Sequence, residues 1–201
     1  MFDERFRRFI APGLSRPARA LRAIGVTPNQ VSGAGFLVAV GAAGAIASGR
    51  PVVGISLWLG SRLLDALDGA VAREGHAGSA FGGYLDVVLD MAAYSLMAVA
   101  YAAGQPEQRM LWLLVLTGYI LAITTTAVLS SLLERRQVAV PGNNRSVQFT
   151  PGFAEAGETS IVYVALALRP DWARWILVVW LVLLAATAVQ RTLTARALLR
   201  D

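Results

Sequence analysis

The sequence contains no cysteine, no lysine and a single histidine, His76. The first absence rules out disulfides, thiolate metal sites and cysteine nucleophiles. With only one histidine besides, a zinc site has almost no ligands to draw on. Charge is scarce as well: 15% of the 201 residues are charged, against about a quarter in soluble domains. Apolar residues take its place, at 56% of the chain and a mean hydropathy of +0.55. They are gathered in long runs, so the first assignment is a membrane protein. The net charge is +5 and every basic residue is arginine. A membrane protein accounts for that excess better than a nucleic-acid binder does, because arginine collects on the cytoplasmic side and meets anionic headgroups. No nucleic-acid partner is expected.

Residues 1–25 carry six arginines and no uninterrupted apolar core, so they do not read as a cleavable signal. Phe2, Phe6, Phe9 and Ile10 recur at helical spacing with arginines between them. This predicts an interfacial amphipathic helix, broken near Pro12-Gly13 and Pro17. Six apolar spans follow, at about residues 28–48, 51–72, 80–103, 110–133, 152–168 and 172–189. The first is well marked, with Thr27 as N-cap and Pro28 as first helical residue. The fold expected is an all-α polytopic membrane protein: a juxtamembrane amphipathic helix over 1–25, then a six-helix transmembrane domain over 26–201. Arginines set its orientation. Thirteen fall in the N-terminal segment, the 2–3 and 4–5 loops and the C-terminal tail; four, Arg50, Arg109, Arg169 and Arg174, fall on the other side. Both termini are therefore expected in the cytoplasm, with the chain in the inner membrane.

The second and third spans carry acids where a membrane tolerates them least. The stretch reads Asp65-Ala-Leu-Asp68-Gly69-Ala-Val-Ala72-Arg73, then eight residues, then Gly82-Gly-Tyr-Leu-Asp86-Val-Val-Leu-Asp90. On helices, 65, 68, 69 and 72 share one face, and 82, 86 and 90 form a stripe on the next. A short loop joins the two helices, so four carboxylates converge at their cytoplasmic end. Ionised carboxylates at that depth cost several kcal/mol unless paired or bound to a cation. Arg73 is the one neighbouring arginine expected to compensate them. All-oxygen ligands favour Mg²⁺ or Mn²⁺.

At these residues the sequence resembles the CDP-alcohol phosphatidyltransferase family, whose signature D-x2-D-G-x2-A-R-x8-G-x3-D-x3-D is met at every fixed position from Asp65 to Asp90. Thr27-Pro28-Asn29 also resembles the family's entry to its first transmembrane helix. The resemblance implies a phospholipid-biosynthetic enzyme that moves a phosphatidyl group from a CDP-activated lipid, such as CDP-diacylglycerol, to an alcohol and releases CMP. It implies that Asp65, Asp68 and Asp86 bind two divalent ions, with Asp90 close enough to contact one of them and acting as general base. Pro28, Asn29, Asp68, Gly69, Ala72, Arg73 and Gly82 would line the CDP-lipid pocket. A homodimer is likewise implied.

The acceptor alcohol is read from the later spans, where Arg135, Arg136, Arg145, Glu155, Glu158 and Arg191 are the candidates. Each arginine could instead snorkel to headgroups, and the two glutamates could simply stabilise a helix N-terminus. The chain is similar to phosphatidylinositol-phosphate synthases around Gly152-Phe153 and Glu155. Those enzymes grip the acceptor's phosphate with arginines where this chain has Ala156 and Thr159. Glu155 and Glu158 stand at i and i+3, which suits a non-phosphorylated polyol or amino alcohol. Two other functions stay open: a metal-dependent hydrolase of a lipid pyrophosphate, and a cation transporter. The hydrolase would release CMP without an added alcohol. The transporter would spread its acids over several spans.

Overall fold

A computed structural model of the chain describes residues 2–75, 79–136 and 154–199, with side chains from residue 13 onward. Among the described residues every regular element is helical. Seven α-helices follow in order: α1 (Phe2–Ala23), α2 (Pro28–Ala47), α3 (Pro51–Glu74), α4 (Ala80–Gly104), α5 (Arg109–Arg135), α6 (Ala156–Leu168) and α7 (Ala173–Leu198). Single 3₁₀ turns, Pro106–Gln108 and Pro170–Trp172, lead into α5 and α7. Helices α2 and α4, and α5 and α7 with their leading turns, are long and apolar enough to cross a membrane. The chain is accordingly a membrane protein. Helix α3 has the length, but Arg62, Asp65, Asp68, Arg73 and Glu74 load its second half with charge. Helix α6 has 13 residues, roughly 20 Å against the ~30 Å of a hydrocarbon core.

The local reasons for these boundaries lie in the sequence. Thr27 forms a capping box at the head of α2: its backbone N–H donates to Gln30 Oε1 at 2.8 Å, and Gln30 N–H donates back to its hydroxyl at 3.3 Å. Ser79 caps α4 by accepting from Gly82 N–H at 2.9 Å. The turns after α1 and α2 place Gly25 at φ 82° and Gly49 at φ 72°, where a side chain would be strained.

Within residues 1–106, α2 packs against both α3 and α4, and α1 lies along α3. At Gly35 a Cβ would come within 3.3 Å of Leu64 Cβ and 3.5 Å of the Ser61 carbonyl, so glycine relieves a tight contact where α2 meets α3. Helix α1 buries Leu14 and Ala18 against Ala70 and Val71 of α3, while Arg16, Arg19 and Arg22 stay exposed. The break expected near Pro12-Gly13 and Pro17 does not occur; α1 runs unbroken from Phe2 to Ala23. Pro17 faces Gly13 one turn back, and the contact of Leu14 and Ala18 with α3 offsets the missing proline hydrogen bond.

Within residues 107–201, α7 packs against α5 and α6. Trp112, Trp180 and Tyr163 are fully buried there. Their polar atoms are served by a short chain: Trp180 Nε1 donates to Tyr119 Oη at 3.3 Å, which lies 3.1 Å from Tyr163 Oη. The expected sixth span ended at Val189, whereas α7 continues to Leu198. Hydropathy locates the part of a helix that lipid can cover; the polar turns beyond it, rich in Ala, Leu and Arg, keep the helical conformation on propensity.

Candidate active site

The acids of α3 and α4 meet. Asp65, Asp68 and Asp86 each offer a carboxylate oxygen, and the three atoms lie within 4.8 Å of one another. Two oxygens bound to one Mg²⁺ are at most about 4.2 Å apart, so a small inward shift of the side chains closes a shell on a cation. Asp68 is 7% exposed, Asp65 half-buried and Asp86 exposed, which grades the cluster from the protein interior outward. The three line a small, open pocket together with Asp90, Arg62 and Ser32.

Asp68 is held from α2. The Ser32 hydroxyl donates to Asp68 Oδ2 at 2.6 Å and lies 3.1 Å from the Pro28 carbonyl. Ser32 was not among the residues singled out from the sequence. The available signal was its place one turn beyond Pro28, on the face of α2 that meets α3.

Asp90 is handled differently from its three companions. Arg62 Nη1 sits 2.5 Å from Asp90 Oδ1. The guanidinium lies 4.6 Å from the Trp58 ring and 5.2 Å from the Tyr94 ring. Arg73, the arginine expected to compensate the carboxylates, is instead exposed on the last turn of α3. Helical geometry explains the exchange: Arg62 is one turn before Asp65 on the same face, whereas Arg73 lies beyond the point where α3 and α4 bring the acids together.

The remaining donor-side candidates cluster around the heads and tails of the same helices. A Cβ at Gly82 would lie 3.1 Å from Ser79 Oγ and 3.2 Å from Asn29 Oδ1, so Asn29 at the start of α2 borders the start of α4. A Cβ at Gly69 would meet Arg73 Nη1 at 3.2 Å. Pro28 occupies the first turn of α2, and Ala72 the last turn of α3, half-buried beside Arg73. His76 lies outside the described residues.

The acceptor-side candidates fall on α5, α6 and α7. Arg135 ends α5 exposed, and Arg136 Nη1 donates to the Leu199 carbonyl at 3.2 Å. Arg191 is 7% exposed and donates from Nη1 to the Ala122 carbonyl at 2.8 Å. Glu155 occupies the N-cap position of α6 without a side-chain cap bond, and Glu158 lies in its first turn. Glu158 Oε2, Gln190 Oε1 and Arg191 Nε are buried and have no hydrogen-bond partner among the described residues. The head of α6 is tied to α7 by Ala154 N–H donating to Thr187 Oγ1 at 2.9 Å. Arg145 and Gly152-Phe153 lie outside the described residues.

Residues 25–189 match the family described as CDP-alcohol phosphatidyltransferase. The chain belongs to this family. It is similar to the inner membrane protein YnjF of Escherichia coli, with 32% identity over 176 residues covering 86% of this chain and 84% of the relative. It is also similar to an archaetidylinositol phosphate synthase of Methanothermobacter thermautotrophicus, 31% identical over 162 residues, covering 81% and 73% of the two chains. Among solved structures, Mycobacterium tuberculosis phosphatidylinositol phosphate synthase with CDP-DAG bound superposes with a TM-score of 0.70 at 24% identity, covering 90% of this chain and 92% of that one. The same enzyme in complex with manganese and citrate gives 0.69. As a CDP-alcohol phosphatidyltransferase, the chain is a transferase of phospholipid biosynthesis: it moves a phosphatidyl-type group from a CDP-activated lipid to an alcohol, releasing CMP. The transporter reading is set aside by membership.

Proposed function

We propose that Asp65, Asp68 and Asp86 hold divalent metal, as two Mg²⁺ or Mn²⁺ ions, that Asp90 is the general base, and that the acceptor is a non-phosphorylated polyol or amino alcohol. The observation that carries the first part is the meeting of three carboxylate oxygens within 4.8 Å on α3 and α4. Such a cluster repels itself unless a cation joins it. Its donors are all hard oxygen, which fits these metals. Manganese is present in a solved structure of a family relative, the phosphatidylinositol phosphate synthase, which lends support.

Bound there, metal supplies charge neutralisation for the donor's diphosphate. Residues of the chain do the rest. Pro28, Asn29, Asp68, Gly69, Ala72, Arg73 and Gly82 accommodate the CDP group, with the two glycines leaving room for it. Asp90 takes the proton of the acceptor hydroxyl as its oxygen bonds to the lipid-side phosphorus. The bond from that phosphorus to the bridging oxygen breaks, and CMP leaves with the electron pair. The setting proposed is a six-span bundle in the inner membrane, acting as a homodimer, with α1 in the interface and both termini cytoplasmic. The exposed Arg16, Arg19 and Arg22 of α1 support that placement.

Ser32→Ala tests the metal cradle without touching a ligand. Loss of the 2.6 Å bond to Asp68 is expected to raise the Mn²⁺ concentration for half-maximal activity by roughly 10-fold, the usual effect of removing a group that orients a ligand. An unchanged Mn²⁺ dependence would show that Asp68 is placed without it.

The acceptor rests on Glu158. Its buried Oε2 lacks a donor among the described residues, and a hydroxyl or ammonium group would supply one. Arg191 gives Nη1 to a backbone carbonyl, and its buried Nε has no partner among the described residues. The names of the archaeal relatives favour the other reading, an inositol phosphate acceptor. Purified protein with labelled CDP-diacylglycerol, Mn²⁺ and a panel of inositol, inositol phosphate, serine, choline, glycerol phosphate and phosphatidylglycerol separates them. CMP release is expected to need an added alcohol; release with water alone would indicate a hydrolase. Glu158→Gln is expected to raise the acceptor KM about 10-fold, the value of one charge-assisted hydrogen bond, and to leave the donor KM alone. Unchanged acceptor kinetics would remove the role.

A further inference from the structure

We propose that Arg62 is a positioning residue for the transfer: it clamps Oδ1 of Asp90, so that the carboxylate presents Oδ2 to the acceptor hydroxyl in one orientation. The proposal rests on the reading of Asp90 as the base. Its ground is the treatment of the fourth carboxylate. Three of the acids have oxygens within 4.8 Å of one another, and Asp90, which lines the same cavity, is the one that is ion-paired with Arg62. A base must keep one oxygen for a proton, and the ion pair with Arg62 engages Oδ1 of Asp90 and leaves its second oxygen for that task.

The clamp is itself held. Arg62 Nη1 lies 2.5 Å from Asp90 Oδ1 and 3.5 Å from Tyr94 Oη. Its guanidinium lies over the Trp58 ring at 4.6 Å and the Tyr94 ring at 5.2 Å. Those two rings meet edge-on at 5.1 Å, and both are buried. A planar guanidinium against two rings and a carboxylate gives up most of its rotamer freedom, which an ammonium on a flexible stem would keep. Trp58, Arg62 and Asp65 follow one stripe of α3, and Asp90 and Tyr94 one stripe of α4, so the register of the two helices sets the clamp. Stability alone is a weak reason for the arrangement. A partly buried ion pair is commonly replaced by apolar residues without loss, and α3 and α4 already bury Trp58, Met97 and Ala98.

The test compares Arg62→Gln, Asp90→Asn and the double variant. Arg62→Gln is expected to lower kcat roughly 10²-fold, as a misdirected base does, with the donor KM and the Mn²⁺ half-saturation within about 3-fold of the parent values. The double variant is expected to be no slower than Asp90→Asn, since the clamp has nothing left to orient. Arg62→Lys is expected to recover part of the loss. Additive losses would overturn the proposal. So would a raised donor KM at unchanged kcat, which would make Arg62 a ligand of the donor's phosphates. If Arg62→Gln fails to fold, Arg62→Lys decides alone: a lowered kcat at unchanged donor KM supports the clamp, and parental kcat overturns it. Parental turnover in Asp90→Asn would overturn the base assignment and the clamp together, whereas additivity overturns the clamp only.

Discussion

Asp90→Asn is expected to reduce turnover by about 10²–10⁴-fold, the range general-base catalysis contributes, while the protein still binds CDP-lipid. The substitution is nearly isosteric. It keeps an oxygen for Arg62, which the rings of Trp58 and Tyr94 hold in place in any case. What it removes is the capacity to take the acceptor's proton. Asp90 is also not one of the three acids whose oxygens converge, so the metal cradle and the donor's place beside it are expected to be left standing. The decisive measurement is therefore a pair: kcat on one side, and on the other the donor KM or the equilibrium binding of CDP-diacylglycerol. Lost turnover with retained binding supports the assignment. Parental turnover removes it, and loss of both together would make Asp90 part of the donor site.

Asp86→Asn carries the second large effect. Asp86 is the most exposed of the three converging acids, so its replacement is expected to leave the helical content and Tm close to the parent. Its charge, in contrast, is a third of what the cradle offers a cation. Removing it is expected to weaken Mn²⁺ binding strongly and to cost roughly 10²–10³ in kcat, corresponding to about 3–4 kcal/mol of the charge stabilisation that metal gives a phosphoryl transition state. Mn²⁺ titration followed by electron paramagnetic resonance reads the first effect without any substrate. A binding curve that overlays the parent's would exclude Asp86 from the cradle, whatever happened to activity.

Much of this molecule was legible from its sequence because the signals were local or regular. Thr27 and Pro28 announce the start of α2, and Thr27 caps it as read, with Gln30 completing a capping box that was not foreseen. Each apolar run maps onto a helix, with ends displaced mainly where hydropathy and helicity part company, as beyond Val189. The spacing of Asp65, Asp68, Asp86 and Asp90 was enough to foresee that the four line one pocket, with the oxygens of the first three converging, since two helices joined by a short loop have few ways to avoid it. What the sequence concealed depends on contacts between helices. The unbroken α1 follows from the packing of Leu14 and Ala18 on α3, which overrides the local effect of Pro12 and Pro17. Ser32 reaches Asp68 across 36 residues of chain. Arg62 was visible as a charge inside an apolar run, but its partner was set by how α3 and α4 register against each other, and that register is not written in either helix alone. Arg73 was the more obvious guess because it belongs to the motif, but it lies exposed on the last turn of α3.

The shortness of α6 reaches beyond the chain itself. A helix of 13 residues offers roughly 20 Å of apolar length to a hydrocarbon layer of ~30 Å. A segment of that length is too short to cover the layer on its own. Any part it takes in the bilayer therefore depends on how thick that bilayer is, a variable that an activity assay in lipids of graded chain length would read.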